Sequence, residues 1–168
     1  VDMNGKSVWQ RNLAKEVAPV SIIWGPGSSP AVYGSTVYLL AYHGQSAYLM
    51  AVEAATGKTK WKVDGTRGVT SYSTPVMVQA PSGPELIVNS SEGVAGHNPE
   101  TGARLWFYAE ANSFPVLTPI PNGGLIYLNR GYRSSPYMAI RAGGRGDIAA
   151  SHVVWRQPTS GPYVPSLV

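Results

Sequence analysis

The sequence predicts an all-β chain: four-stranded antiparallel blades stacked as part of a β-propeller, about three blades with flanking strands. Three observations predict it. Tryptophans recur at Trp9, Trp61, Trp106 and Trp155, separated by 52, 45 and 49 residues. A glycine stands four residues before the first three of them, at Gly5, Gly57 and Gly102. The residues between are short β-branched and aromatic runs bounded by Gly, Pro, Ser or Asn, which is the grammar of strands and turns. A repeat of this length with four strands per unit is the signature of propeller blades.

The elements follow in order. Residues 1–17 are expected to be a blade end whose last strand runs from Ser7 to Asn12. A first full blade, 18–65, has strands at 30–33, 36–42, 47–53 and 59–63. A second, 66–110, has them at 75–78, 85–89, 93–97 and 104–108. A third, 111–158, has them at 118–120, 125–129, 137–141 and 152–156. Residues 159–168 begin another, with a strand from Tyr163 to Val168. No apolar period of helical spacing is long enough to matter. Three blades with loose flanking strands leave open sheet edges, so the chain is expected to be a fragment of a protein of seven or eight blades, with closure by oligomerisation as the alternative.

Composition agrees. Hydrophobic residues make up 43% of 168, charged residues only 13%, and there are 19 Gly and 14 Pro, which suits short strands joined by tight turns. The net charge of +4 is spread singly and forms no stripe, so no nucleic-acid partner is expected. No run approaches the length of a membrane helix. With no cysteine, disulfides, thiolate metal sites and cysteine nucleophiles are excluded.

The glycine allows the last strand of each blade to fold back, and the following Trp is expected to lie as a flat plate between blades. The docking set is therefore Gly5, Trp9, Gly57, Trp61, Gly102, Trp106 and Trp155. The third blade has no Thr-Gly before Trp155. A longer loop, 142–151, containing Arg145-Gly146-Asp147, stands there instead, and its docking is expected to be irregular. That tripeptide is read as a tight loop whose Asp147 pairs with an Arg or caps backbone N–H groups.

Catalytic patterns are sparse. His43, His97 and His152 lie in different blades without metal-ligand spacing. No two acids form a local pair of the kind a glycosidase uses. There is no Gly-x-Ser-x-Gly elbow, and the Gly-rich stretches at 25–27 and 143–146 open no helix that could cradle phosphate. Candidate ligand-binding residues sit on the connections that face one end of a propeller: Trp24, Arg67, Ser71, Tyr72, Arg130, Arg133 and Tyr163, with His43 and Tyr132 beside them. Aromatics with Arg suit a flat anionic ligand and equally a peptide.

The Ala-x-x-x-x-Thr-Gly-x-x-x-Trp stretch at 51–61, echoed at 95–106, resembles the tryptophan-docking motif of bacterial pyrroloquinoline-quinone (PQQ)-like propeller repeats. Glu53 and His97 stand where that motif usually has Asp. Residues 73–76, 143–148, 152–156 and 162–166 strengthen the resemblance. It implies a periplasmic or secreted bacterial protein of one of two kinds. One is a non-catalytic binding or scaffold propeller like the lipoprotein of the outer-membrane barrel-assembly machinery, with a protein or peptide partner and no cofactor expected. The other is a dehydrogenase oxidising alcohols or sugars with PQQ and calcium. Many such dehydrogenases carry a vicinal cysteine pair, which is not in this sequence. A carbohydrate-binding propeller is a third reading.

Overall fold

The computed structural model describes Val1, residues 4–132 and residues 135–164. Among the described residues, thirteen strands form three sheets, and one helical turn precedes them. The first contains β1 (Ala31–Tyr33), β2 (Thr36–Tyr42), β3 (Ala47–Glu53) and β4 (Thr59–Asp64) in that order. The second contains β5 (Val76–Ala80), β6 (Gly83–Asn89), β7 (Gly93–His97) and β8 (Arg104–Ala109). The third contains β9 (Ile120–Asn122), β10 (Leu125–Asn129), β11 (Tyr137–Arg141) and β13 (Val153–Gln157). Neighbouring strands within each four-stranded set are antiparallel. This is an open, partial propeller of three blades.

Burial explains the apolar runs. The third strands β3 and β7 are buried along nearly their whole length, whereas the fourth strands β4 and β13 are largely exposed. A strand covered on both faces loses polar/apolar alternation. One core layer joins blades one and two through Tyr38, Leu40, Leu49, Leu86 and Val88. Another joins blades two and three through Ile87, Trp106, Ile126, Leu128, Met138 and Ile140.

The Trp on the last strand of each blade faces a small residue across the ladder: Ala51 opposite Trp61, Gly96 opposite Trp106, Ala139 opposite Trp155. The register shifts at the next residue in all three blades, so the same β-bulge is repeated. A bulge bends its strand and re-aims the side chains beside it. Trp9 Nε1–H donates to the Ala54 carbonyl at 2.8 Å, and a Cβ on Gly57 would lie 2.7 Å from its ring. Trp61 repeats this one blade on, donating to Pro99 at 2.9 Å over Gly102, where a Cβ would again lie 2.7 Å from the ring. Both glycines have positive φ, +72° and +76°, so the bare, left-handed turn is what lets the indole close down. Gly5 shares the positive φ but has no such neighbour.

Trp106 behaves differently. Its partner Gly96 has no side chain, and a Cβ there would lie 2.1 Å from the indole nitrogen. The ring folds inward, is 1% exposed, and donates to Glu85 Oε2 at 2.8 Å. The irregular loop of blade three fills the space. Gly146–Asp147 forms β12, parallel to β8 and opposite Trp106 and Phe107. Gly143 N–H and Arg145 Nη1 both donate to the Glu85 carboxylate, at 3.1 and 3.2 Å. Asp147 caps the Ala149 N–H at 2.9 Å. Trp155 lies edge-on to Tyr137 at 5.7 Å and is 39% exposed.

Two expectations need correction. Residues 7–12 form no strand; they lead into α1 (Leu13–Glu16). Local bonds hold that turn: Asn12 Oδ1 accepts from Lys15 N–H, and the Glu16 carboxylate accepts from Asn12 N–H and Arg11 Nε. This reciprocal capping satisfies N–H groups a lone strand would leave open. Trp9, Leu13 and Val17 then cover Met50 and Val52 on the outer face of blade one. The first strand of blade three starts at Ile120, just beyond Pro119, which has no N–H to give a ladder; the Thr118 hydroxyl before it accepts from the Thr74 N–H at 3.4 Å. Most of the strand expected at 163–168 lies outside the described residues; Tyr163 and Val164 are in a bend.

His97 carries a consequence for stability. It is 5% exposed, and its Nδ1–H donates to the Gly102 carbonyl at 2.9 Å. Burial holds its pKa below the usual value, with Arg104 adding to the effect and the Gly102 bond opposing it. His43 is lowered too, by burial. The unfolded chain takes up these protons near pH 6.5, while the folded chain resists until lower pH. Stability is therefore full above about pH 6.5 and declines as pH falls through it. Urea midpoints at neutral pH and near pH 5 measure this, and His97→Gln is expected to flatten the difference.

Candidate binding face

The connections that enter each blade's first strand run across one end of the sheets, beside the turns between second and third strands. They are laced to one another through backbone bonds. Ser91 N–H donates to Thr70 O at 2.9 Å, Asn112 N–H to Ser91 O at 2.9 Å, and Tyr72 N–H to Pro115 O at 3.0 Å. Side chains continue the ladder from blade to blade: Ser28 Oγ donates to Ser73 O at 2.6 Å, and Ser73 Oγ to Leu117 O at 2.8 Å. A loop face built this way holds its side chains in fixed places.

On it lies a line of aromatic rings. Trp24 meets Phe114 edge-on at 4.7 Å, Phe114 meets Tyr132 at 6.2 Å, and Tyr132 meets Tyr163 at 5.3 Å. Tyr72 flanks the line, 5.8 Å from Trp24 and 6.4 Å from Phe114. Trp24 is 65% exposed, Tyr132 41%, and the neighbouring Ile23 79%. The Tyr72 phenol is raised above its usual pKa, first by burial and then by the Tyr163 phenol, against the pull of the Trp24 backbone. Beside Phe114 opens a shallow cleft of about 430 Å³ lined by Gly68, Thr70, Ser91, Ala111, Asn112 and Ser113, without an ionisable side chain.

The candidates separate accordingly. Trp24, Tyr72 and Tyr163 are brought together, with Tyr132. Arg67 is exposed but its Nε and Nη2 are engaged by Gln45 Oε1, at 2.9 and 2.6 Å. Ser71 is buried, donating to Asn89 O at 2.7 Å. Arg130 departs from its expected place on the surface. It is fully buried, donating to the carbonyls of Ser90, Gly93 and Glu110 and to Asn89 Oδ1. Burial lowers its pKa to about 10. It ties blade three to blade two and has no donor to spare for a ligand. Arg133 lies outside the described residues. Phe114, the centre of the line, was not among the candidates; the signal available was an aromatic before Pro115 in the connection where Tyr72 and Trp24 have their counterparts.

Among the described residues, no three His, Asp or Glu side chains converge as a metal site would require, and no helix is long and apolar enough to cross a membrane.

A family model described as outer membrane protein assembly factor BamB matches residues 1–167. The chain belongs to the BamB family. No curated protein sequence matches it significantly. Among solved structures it is similar to BamB from Moraxella catarrhalis, at TM-score 0.55 and 17% identity over 78% of this chain and 37% of that one. It is similar to the quinohemoprotein alcohol dehydrogenase of Comamonas testosteroni at TM-score 0.55 and 16% identity, over 79% and 21%. It is similar to the hydrazine synthase of Kuenenia stuttgartiensis at TM-score 0.56 and 18% identity, over 83% and 37%. At these identities the likeness is one of fold, and the chain spans well under two thirds of each structure. A fold of this kind is thus found both in a protein named as an assembly factor and in enzymes, and the fold by itself does not set the function.

Proposed function

We propose that this chain is a non-catalytic, protein-binding section of a BamB-like propeller, from an exported bacterial protein that works in the periplasm. The aromatic line carries the reading. Trp and Tyr on loops held by a rigid scaffold are the side chains that dominate protein interfaces, because they bury much area for little entropy. Exposed apolar surface of this kind marks interaction sites. The family's description as an assembly factor supports a protein partner.

The second reading, a PQQ-dependent dehydrogenase domain, is favoured by the equal backbone likeness to the Comamonas enzyme. Its cofactor is flat and anionic and is held with calcium. The described residues do not fit that group: Arg130 is buried against carbonyls, Arg67 is engaged by Gln45, and the carboxylates are dispersed. Calorimetric titration of the chain with PQQ and calcium chloride distinguishes the two. The binding reading expects no saturable heat. Stoichiometric, calcium-dependent binding would replace it with the dehydrogenase reading.

A further inference from the structure

The geometry points to a second site: the cleft between blades one and two binds a short peptide with free termini, its ammonium group at Glu92 and its carboxylate at Arg104. The cleft encloses about 390 Å³ and runs along the seam between β4 and the last two strands of blade two. A volume of that order suits a small ligand. None of the rings of the aromatic line borders it, so the inference stands apart from the protein-binding reading. Three features of the lining select the ligand.

The first is a pair of unmatched charges. Glu92 and Arg104 both line the cleft. Among the described residues neither joins an ion pair, with the other or with any third group. Asp64, on the same wall, is already paired with Lys62. An anion and a cation left open in one cleft favour an occupant that brings both complementary charges. They stand at opposite ends of β7: Glu92 precedes Gly93, and Arg104 lies across the ladder from His97. At about 3.3 Å per residue, Gly93 and His97 are about 13 Å apart. With a Glu and an Arg side chain taking up part of that distance, the remainder suits two or three extended residues, whose termini lie about 7–10 Å apart. A free amino acid carries both charges on one carbon and cannot serve both ends.

The second is a buried acceptor and a buried donor without partners. His97 is 5% exposed and spends its Nδ1–H on the Gly102 carbonyl, which leaves Nε2 as an acceptor with no partner among the described residues. Burial and then Arg104 hold its pKa low against the Gly102 bond, so the ring is neutral at pH 7 and Nε2 keeps its lone pair. Tyr42 is 9% exposed, and its hydroxyl has no hydrogen-bond partner among the described residues. Burial, then the Glu92 carboxylate, push the phenol up to about 12 against the pull of Arg104, so it remains a donor. Both side chains line the cleft. Buried polar groups call for partners. A peptide bond supplies both, an N–H for His97 and a carbonyl for Tyr42. A neutral sugar has hydroxyls for these two groups and no charge for Glu92 or Arg104.

The third is preorganisation. The Arg104 guanidinium lies over the Phe107 ring, 4.9 Å from its centre. That ring is packed on Gly93, where a Cβ would come within 2.7 Å of it, and the Tyr42 ring on Gly65, where a Cβ would come within 3.1 Å. Midway along the cleft, Val88 and Ala95 face each other across β6 and β7 and offer apolar surface to a small side chain. Groups held this way lose little freedom when a ligand arrives.

The test follows the amide resonances of the ¹⁵N-labelled 168-residue chain. The probes are trialanine, N-acetyl-trialanine, trialanine amide, L-alanine and cellotriose. Trialanine is expected to shift the Glu92, His97 and Arg104 amides in a saturable way, and each blocked form to bind about tenfold more weakly. Glu92→Gln is expected to weaken trialanine by about the same factor and to leave N-acetyl-trialanine unchanged; Arg104→Gln stands in that relation to trialanine amide. Glu92 is half-buried and Arg104 exposed, and neither is in an ion pair among the described residues, so both variants keep the fold. The proposal is overturned by no saturable shift at millimolar trialanine, by blocked peptides, L-alanine or cellotriose binding as tightly, or by variant losses that ignore which terminus is blocked. Each of these results leaves the protein-binding reading of the loop face standing.

Discussion

Gly96→Ala is expected to destabilise the chain by about 3 kcal/mol or more. The new methyl would sit 2.1 Å from the Trp106 indole nitrogen and 2.2 Å from Cε2, with the ring buried to 1% exposure. Overpacking of this kind costs about 1–3 kcal/mol. Expelling the ring also breaks its bond to Glu85, leaving that buried carboxylate short of one donor at roughly 1–3 kcal/mol more. Urea unfolding measures the loss, and indole fluorescence is expected to move to the red as Trp106 meets water. A change below about 1 kcal/mol would mean that the ring swings outward freely, as Trp61 does over Gly102, and that its inward position is not what holds blade two.

Glu85→Leu is the second large effect, at about 3–5 kcal/mol. Glu85 is 1% exposed and accepts from Trp106, Gly143 and Arg145. Arg145 is half-exposed and can return to water, whereas the buried Trp106 indole N–H cannot. Glu85→Gln keeps an acceptor for Trp106 and is expected to lose about 1–2 kcal/mol. The order wild type, Gln, Leu is the informative result. Leu more stable than Gln would show that the carboxylate costs as much in desolvation as its bonds return. Because these bonds fasten the 142–151 loop of blade three to blade two, exchange of the Gly143 amide is expected to speed up in both variants.

How much of this was legible beforehand depends on the range of the interaction. The blades were readable because each is a local unit: β2, β3, β7, β10 and β11 match the apolar runs residue for residue, and Trp61, Trp106 and Trp155 each mark the last strand of a blade. The inward turn of Trp106 was not, because Gly96, a strand away, decides it and the Trp itself looks like the others. Arg130 read as a loop cation because nothing in its own neighbourhood announces that Asn89, Ser90 and Glu110 will close over it. The segment 7–12 read as a strand from its Trp and Val residues, but the capping pair Asn12 and Glu16 offers the backbone a local alternative. On the binding face, Trp24, Tyr72 and Tyr163 stood out by composition. Phe114 did not, since its place depends on a left-handed backbone that Gly131 makes room for.

The measurement that tests the central claim most directly is photo-cross-linking from the aromatic face in the cells that make this protein. A photoreactive amino acid replaces Ile23, which is 79% exposed beside Trp24, and in a second strain replaces Val154, 45% exposed on β13. A protein-binding loop face predicts a discrete protein adduct from position 23 that Trp24→Ala removes, and none from position 154. No adduct from position 23, or the same adducts from both positions, would contradict it.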